Sequence, residues 1–235
     1  MGRYLITQSL LSAWKYQFNN FYDVYEDGEK AEQAFENAHE SFLSALRREK
    51  IATTDAMQRG IDFEDLVVLI ANNAAYSEIM TIEKAMLAKR GTAPKRANTK
   101  TNWEKWYAGA SEIADIVRGG VFQPRFNAPI TVGQTEYLLH GRFDALKQGV
   151  IYDIKFASRY EYGNFFESSQ HPMYFALVPE AHTYSYLIYR EYEGVYTETY
   201  RREETRDISD IIAEFEVYLS AQGLTELYRE KWAAL

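Results

Sequence analysis

Two aspartates flank a short predicted hairpin in the middle of the chain. Polar and apolar residues alternate around Gln148-Gly149, and a pair of this kind suits the positive φ angles of a two-residue turn. A turn at that position places Asp144 opposite Asp153. Residues that face each other on adjacent strands have Cβ atoms about 5 Å apart. Two carboxylates this close repel each other unless a cation lies between them.

The polar face of this hairpin also holds positive charge. Alternation puts Lys155 on the face of Asp153 and opposite Arg142, and His140 falls on the same face. Hard oxygen ligands favour Mg²⁺, and Mn²⁺ can substitute for it. The layout is therefore the one needed to bind a divalent ion and a phosphodiester together. An exposed hairpin with paired surface charges is the alternative interpretation.

Three further polar residues lie on predicted helices. Glu64 lies in a segment with a strongly apolar helical face, so its carboxylate should be half buried and in need of a partner. Gln170 and Tyr174 are four residues apart and share a helical face. Pro172 between them is tolerated if one of the two serines before Gln170 caps the helix. The alternatives are that Glu64 is a surface acid, that Gln170 lies in a helix-capping region and that Tyr174 is a core residue.

Hydrophobic periodicity divides the chain into a helical first third and a later part rich in strands. Predicted helices lie around residues 9–18, 31–46, 55–74, 103–117, 169–178 and 208–219, and predicted strands around 126–132, 137–145, 150–156, 183–189 and 195–200. The third helix should begin at Thr54 or Asp55 and bend or restart at Gly60. This order predicts an α/β protein with a mixed sheet of about five strands flanked by helices. We expect one domain over 1–235, with residues 77–121 as a helical insertion or elaboration.

Composition excludes several classes of protein. Hydrophobic residues make up 46% and charged residues 26%, as in a globular chain rather than a disordered one. The net charge of −8 argues against a general basic coat for nucleic acid, though not against a local basic patch. Cysteine is absent, which excludes disulfides, thiolate zinc sites and iron–sulfur clusters. With no targeting or membrane segment visible, we expect a soluble cytoplasmic protein.

Residues 89–106 form a locally basic stretch with a single acid, Glu104. Gly91 and Pro94 interrupt it, so a loop between two helices is predicted. Clustered lysine and arginine can neutralise DNA phosphates. A solvated loop is the equal alternative. The candidate DNA contacts in this stretch and on the hairpin are Lys95, Arg96, Lys100, Arg142 and His140.

The acids and the lysine of the hairpin resemble a known arrangement. Asp144, followed on the next strand by Asp153-Ile154-Lys155, is similar to the PD-(D/E)XK nuclease superfamily. Gly60 to Glu64 resembles the Gly-X-X-X-Glu motif of its RecB-like exonuclease branch, and Gln170 to Tyr174 the Gln-X-X-X-Tyr motif. The segment from Ile6 to Leu11 resembles the Ser-led first helix of that branch. Because the chain lacks cysteine, it resembles the members without an iron–sulfur cluster, such as many phage and recombination exonucleases.

The resemblance implies a restriction-endonuclease-like core and a Mg²⁺-dependent deoxyribonuclease, most simply an exonuclease. Lys155 would position the attacking water or stabilise the developing charge, and Gln170 and Tyr174 would orient the lysine or contact the DNA strand. The metal ligands that the resemblance implies are Asp144, Asp153, Glu64 and the carbonyl of Ile154.

Several functions stay open at this point. The resemblance implies DNA as the partner, in recombination, repair or phage replication, together with a strand-annealing or helicase protein. An inactive module on the same fold that binds nucleic acid or protein is one alternative. A structure-specific endonuclease or an RNase is a second, and a non-nuclease α/β protein with a charged hairpin is a third. No Walker-type phosphate loop is present, so an ATP-driven motor is not predicted.

Overall fold

The fold is taken from a computed structural model that describes residues 2–19, 28–92 and 101–234. These ranges contain eight α-helices, nine β-strands and a short 3-10 turn at Arg202–Glu204. The helices are α1 Gln8–Asn19, α2 Gly28–Leu46, α3 Asp55–Ala71, α4 Tyr76–Arg90, α5 Asn102–Val117, α6 Gln170–Leu177, α7 Ile208–Ala221 and α8 Thr225–Lys231. The strands are β1 Arg3–Thr7, β2 Val121–Phe122, β3 Arg125–Val132, β4 Thr135–Arg142, β5 Ala145–Lys147, β6 Val150–Phe156, β7 Thr183–Arg190, β8 Gly194–Arg201 and β9 Ala233–Ala234. The predicted α/β class with a helical N-terminal part is confirmed.

The strands form two mixed sheets. One has the order β2-β5-β6-β7-β8, and its only parallel pair is β6 with β7, which α6 connects. The sequence predicts one sheet of about five strands, but two of these, predicted at 126–132 and 137–145, lie mostly in the other sheet as β3 and β4. The other has the order β3-β4-β1-β9 and was not predicted. The helical interpretation of the first third hides β1, which pairs in parallel with β4.

The predicted hairpin is present around its turn but is shorter than expected. Ala145 pairs with Tyr152, and Gln148 and Gly149 have φ angles of 51° and 76°, as a type I′ turn requires. The register predicted for these residues is therefore confirmed. The strand β5 begins at Ala145, so Asp144 lies immediately before it.

The chain changes sheets between β4 and β5. Arg142 pairs with Arg125 of β3 in the four-stranded sheet, so the expectation that it faces Lys155 is wrong. The alternation of polar and apolar residues continues through Phe143 and Asp144, which is why one unbroken strand was predicted. A switch between two stacked sheets leaves the period of the pattern intact while it changes the pairing partner.

Local signals account for the helices near the predicted site. The Thr54 side chain caps α3, accepting a hydrogen bond from the Met57 amide at 3.2 Å. Ser169 is the N-cap of α6, which places Pro172 in the first turn as predicted. The restart expected at Gly60 is wrong, because α3 is one helix. The apolar residues that α3 buries all follow the glycine, from Phe63 to Ala71, and their burial outweighs a cost of about 1 kcal/mol.

Two hydrophobic clusters form the core. One packs α3 and α5 against one face of the five-stranded sheet, around Phe63, Trp106 and Tyr189. The other fills the space between the two sheets and α1, α2, α6 and α7. No helix in the described ranges is long and apolar enough to cross a membrane.

Two helical glycines provide a matched test of this packing. A Cβ at Gly109 of α5 would overlap the buried ring of Tyr189, whereas a Cβ at Gly60 of α3 would meet nothing within 4 Å. We expect Gly109→Ala to lower the free energy of unfolding by about 1–3 kcal/mol. Gly60→Ala should raise it by about 0.5–1 kcal/mol, because alanine is the better helix former. Urea denaturation measures both free energies. Equal effects of the two substitutions would contradict the close packing of Gly109 against Tyr189.

Candidate active site

A cleft of about 720 Å³ opens beside the first half of α3, between the ends of β4 and β6 and the start of α6. Every residue predicted to take part in catalysis or to bind metal lines it, and so does Arg142. The predicted residues in its wall are Glu64, Arg142, Asp144, Asp153, Ile154, Lys155, Gln170 and Tyr174.

Asp153 lies at the centre of this wall and is only 4% exposed. The Lys155 ammonium is 2.7 Å from its Oδ2 atom, and the Gln170 amide donates to Oδ1. Oδ2 itself is buried and accepts no hydrogen bond of good geometry. The lysine therefore balances the charge of this carboxylate without saturating its lone pairs.

Asp144 is half-buried next to Asp153, at the point where the chain passes between the sheets. Its Oδ2 atom accepts a hydrogen bond from the Ile154 amide at 2.7 Å. Burial, followed by the negative charges of Asp153 and Glu64, raises the pKa of Asp144 well above its usual value. Lys155 and the Ile154 amide act in the opposite direction but do not reverse the shift.

Lys155 is the cation that opposes these acids. Burial on its own lowers the pKa of a lysine, but the carboxylates of Asp153 and Asp144 outweigh it and raise the pKa of Lys155. The side chain therefore stays protonated at neutral pH. It is suited to stabilise negative charge and is not suited to accept a proton.

Glu64 reaches the cleft from the middle of α3. Its Oε1 atom accepts a hydrogen bond from the Gln123 side chain at 2.8 Å. Burial raises the pKa of Glu64, and the bond from Gln123 offsets part of that rise. A third carboxylate thus interacts with the charges of the two aspartates.

Gln123 is a site residue that sequence reasoning missed. Its side chain holds Glu64, and its backbone amide donates to the Asp144 carbonyl oxygen at 3.0 Å. Its φ of 50° places it in the left-handed region, which is uncommon for a residue other than glycine. No motif or periodicity marks Gln123, because its role depends on the turn that joins β2 to β3.

The two predicted residues of α6 hold different parts of the site. Gln170 contacts the Asp153 carboxylate rather than the lysine. The Tyr174 hydroxyl donates to the Arg142 carbonyl oxygen at 3.1 Å, and its ring packs on Phe143. Burial raises the pKa of Tyr174, so the hydroxyl remains a donor. Both side chains position the strand ends that carry the acids.

The predicted DNA contacts divide into three groups. Arg142 lies in the cleft wall. His140 does not line it: the ring lies on the four-stranded sheet and contacts the Asn127 side chain at 2.7 Å, because β4 belongs to that sheet. Lys95, Arg96 and Lys100 lie outside the described residues.

The donor set of the cleft has the chemistry of a site for a hard divalent cation. In the part of the chain that the structure describes, no three acidic or histidine side chains are gathered closely enough to surround an ion as they stand. However, Asp144 and Asp153 lie in the same wall, and one buried oxygen of Asp153 lacks a hydrogen bond. Carboxylate and carbonyl oxygens are the ligands that Mg²⁺ prefers. These residues therefore fit Mg²⁺, provided that Lys155 gives up its contact with Asp153.

No family model and no curated protein matches this chain. A solved structure from Eubacterium rectale, named "Putative exonuclease", is 10% identical, and the match covers 81% of this chain and 74% of the other, with a TM-score of 0.50. The crystal structure of SSO0001 is 12% identical over 94% of this chain and 78% of the other, with a TM-score of 0.46. At such low identity, the likeness to the Eubacterium rectale structure shows a similar fold and does not carry over an activity.

Proposed function

We propose that this protein is a divalent-metal-dependent deoxyribonuclease that hydrolyses phosphodiester bonds of DNA as an exonuclease. One observation carries the proposal: the half-buried Asp144 and the buried Asp153 line one open cleft, with Lys155 and Glu64 beside them. The similar fold of a structure named as an exonuclease supports it. So do the order and spacing of the motifs.

The energetic cost of this arrangement argues against a purely structural role. Buried like charges destabilise a fold, and here burial and mutual repulsion raise the pKa of both Asp144 and Glu64. A scaffold gains nothing from such a cluster, whereas strongly perturbed acids in a cleft are typical of functional sites. The same reasoning disfavours an inactive module on this fold.

Each residue has a defined task in the proposed reaction. A bound Mg²⁺ would polarise the scissile phosphate and lower the pKa of a water molecule. Lys155, which stays protonated, stabilises the negative charge that develops on the phosphate. Gln170 orients Asp153, and Gln123 orients Glu64. The residues that would hold the ion are Asp144, Asp153, Glu64 and the carbonyl of Ile154.

The wider setting of the activity follows from the motif resemblance alone. Mn²⁺ should replace Mg²⁺, because both take hard oxygen ligands. We propose that the protein acts in the cytoplasm, in recombination, repair or phage replication, together with a strand-annealing or helicase partner. A structure-specific endonuclease is the second candidate, and comparing linear with circular DNA separates the two.

Substitution of the central carboxylate tests the activity directly. The wild type should degrade linear DNA with Mg²⁺ or Mn²⁺, leave circular DNA intact and stop when EDTA is added. Asp153→Asn should lower the rate by about 10³-fold or more, because an amide neither balances Lys155 nor ligates a cation well. Asp210→Asn, an exposed position on α7, is the matched control and should cleave at the wild-type rate. Full activity of Asp153→Asn would overturn the proposed site.

Removal of the negative charge at the half-buried Asp144 should stabilise the protein. In EDTA at neutral pH, we expect Asp144→Asn to melt about 2–4 °C above the wild type, because the amide keeps an acceptor for Ile154 and ends the repulsion. The raised pKa means that the folded wild type loses stability as the pH rises and Asp144 ionises, so the gap should close at acid pH. Mg²⁺ should raise the melting temperature of the wild type more than that of the variant. If Asp144→Asn were less stable than the wild type at every pH, the proposed repulsion at Asp144 would be contradicted.

Gln123→Ala tests the residue that holds Glu64. We expect the Mg²⁺ concentration for half-maximal cleavage to rise about 10-fold or more, since loss of a residue that orients a ligand typically weakens metal binding to this extent. The KM for DNA should stay close to that of the wild type. Gln134→Ala, in the exposed turn between β3 and β4, is the control. An unchanged metal requirement would show that Gln123 has no part in the site.

A further inference from the structure

A second groove adjoins the catalytic cleft. It lies between α1, the C-terminal end of α2 and Trp232, with a volume of about 590 Å³. Ile51 and Met57 line both the groove and the cleft. The two hollows are therefore parts of one continuous surface that leads away from the proposed catalytic residues.

The lining of this groove is mainly apolar and open to solvent. Tyr16 is 56% exposed, Ile51 58% and Met57 52%. Large apolar side chains that share an exposed surface commonly mark a binding site. Tyr16 is the aromatic residue among these three, and more than half of its surface is open to solvent.

The charges of the groove limit what it can bind. Its lining has one cation, Arg48, and one acid, Glu49. A row of phosphates needs clustered lysine and arginine, which this surface lacks, so the groove is not suited to hold a nucleic-acid backbone. Flat apolar groups with few charges of their own fit it better.

We propose that this groove binds the unpaired bases of a single DNA strand whose phosphate lies in the catalytic cleft. The inference rests on the proposed deoxyribonuclease function and narrows its substrate to single-stranded DNA or a single-stranded end. Bases stack on aromatic and apolar side chains only when their faces are free, as they are in a single strand and not in a duplex. Continuity with the cleft favours this occupant over one unrelated to catalysis.

Tyr16 is the stacking platform in this assignment, and Arg48 is its charged neighbour. The Arg48 guanidinium lies 4.7 Å from the centre of the Trp232 ring and donates to the Lys231 carbonyl oxygen at 3.2 Å. These contacts fix the cation at the edge of the apolar surface. One phosphate next to the stacked base can contact it there.

Binding measured without cleavage tests the groove. Fluorescence anisotropy with a labelled single-stranded oligonucleotide in EDTA should give a Kd for Tyr16→Ala about 10-fold above that of the wild type. Tyr16→Phe keeps the ring and should bind like the wild type. Tyr192→Ala removes a tyrosine that is 85% exposed on the turn between β7 and β8, outside both hollows, and is the matched control. Ile51→Ala, at a second exposed position, should weaken binding in the same direction.

The outcomes separate this inference from the function on which it rests. If the wild type binds the oligonucleotide and both Tyr16→Ala and Ile51→Ala bind it equally well, the groove is not the binding site. The proposed nuclease function is not affected by this result. A wild type that cleaves duplex DNA but does not bind a single strand likewise overturns the groove alone. A Tyr16→Ala variant that turns a dimer into a monomer in size-exclusion chromatography would make the groove an interface between two copies. A wild type that neither binds nor cleaves DNA removes the proposed function and this inference with it.

Discussion

The hydrogen bond from the Ile154 amide to the half-buried Asp144 carboxylate is the interaction on which the rest of this structure depends. Asp144 lies where the chain leaves the four-stranded sheet at Arg142 and enters the five-stranded sheet at Ala145. A polar group at such a crossing must find a partner or incur the cost of burial without one. The amide of β6 provides that partner, and in doing so it holds the carboxylate beside Asp153. The junction of the two sheets and the candidate site are therefore the same feature.

The charge balance of the chain is understandable from this junction. A net charge of −8 is unfavourable for a DNA enzyme if it is spread evenly over the surface. In the cleft, however, carboxylates from three segments converge on one ammonium group, that of Lys155. Even with Arg142, which lowers the pKa of Glu64, two positive charges face three negative ones, and burial and repulsion together raise the pKa values of Asp144 and Glu64. Such a cluster is suited to a site where a divalent cation, or a proton from the substrate, supplies the missing positive charge.

Sequence reasoning succeeded where one local interaction decides the structure. The Gln148-Gly149 turn sets the register of β5 and β6, and the Thr54 cap sets the start of α3. It failed where distant segments decide. Alternation around Asp144 is the same whether the strand continues or changes sheets, and Gln123 carries no pattern because a turn conformation gives it its role. The sequence still predicted which acids meet, because β6, α3 and α6 could each be recognised from their own periodicity.

The proposed chemistry and the proposed recognition of substrate are carried by different kinds of element. Apart from Glu64 of α3, the charged residues come from β6 and the strand ends around it, where backbone hydrogen bonds limit movement. The apolar groove comes from α1, the end of α2, the segment before α3, the first turn of α3 and Trp232, and it shares Ile51 and Met57 with the cleft. Rigid strands suit groups that must hold a geometry within fractions of an ångström, because catalysis is lost when they shift. Stacking tolerates small displacements, so helix surfaces and a connecting segment are sufficient for it. Exposed apolar residues such as Tyr16 add nothing to helical periodicity, and for that reason a groove of this kind becomes visible only when the fold has placed its walls together.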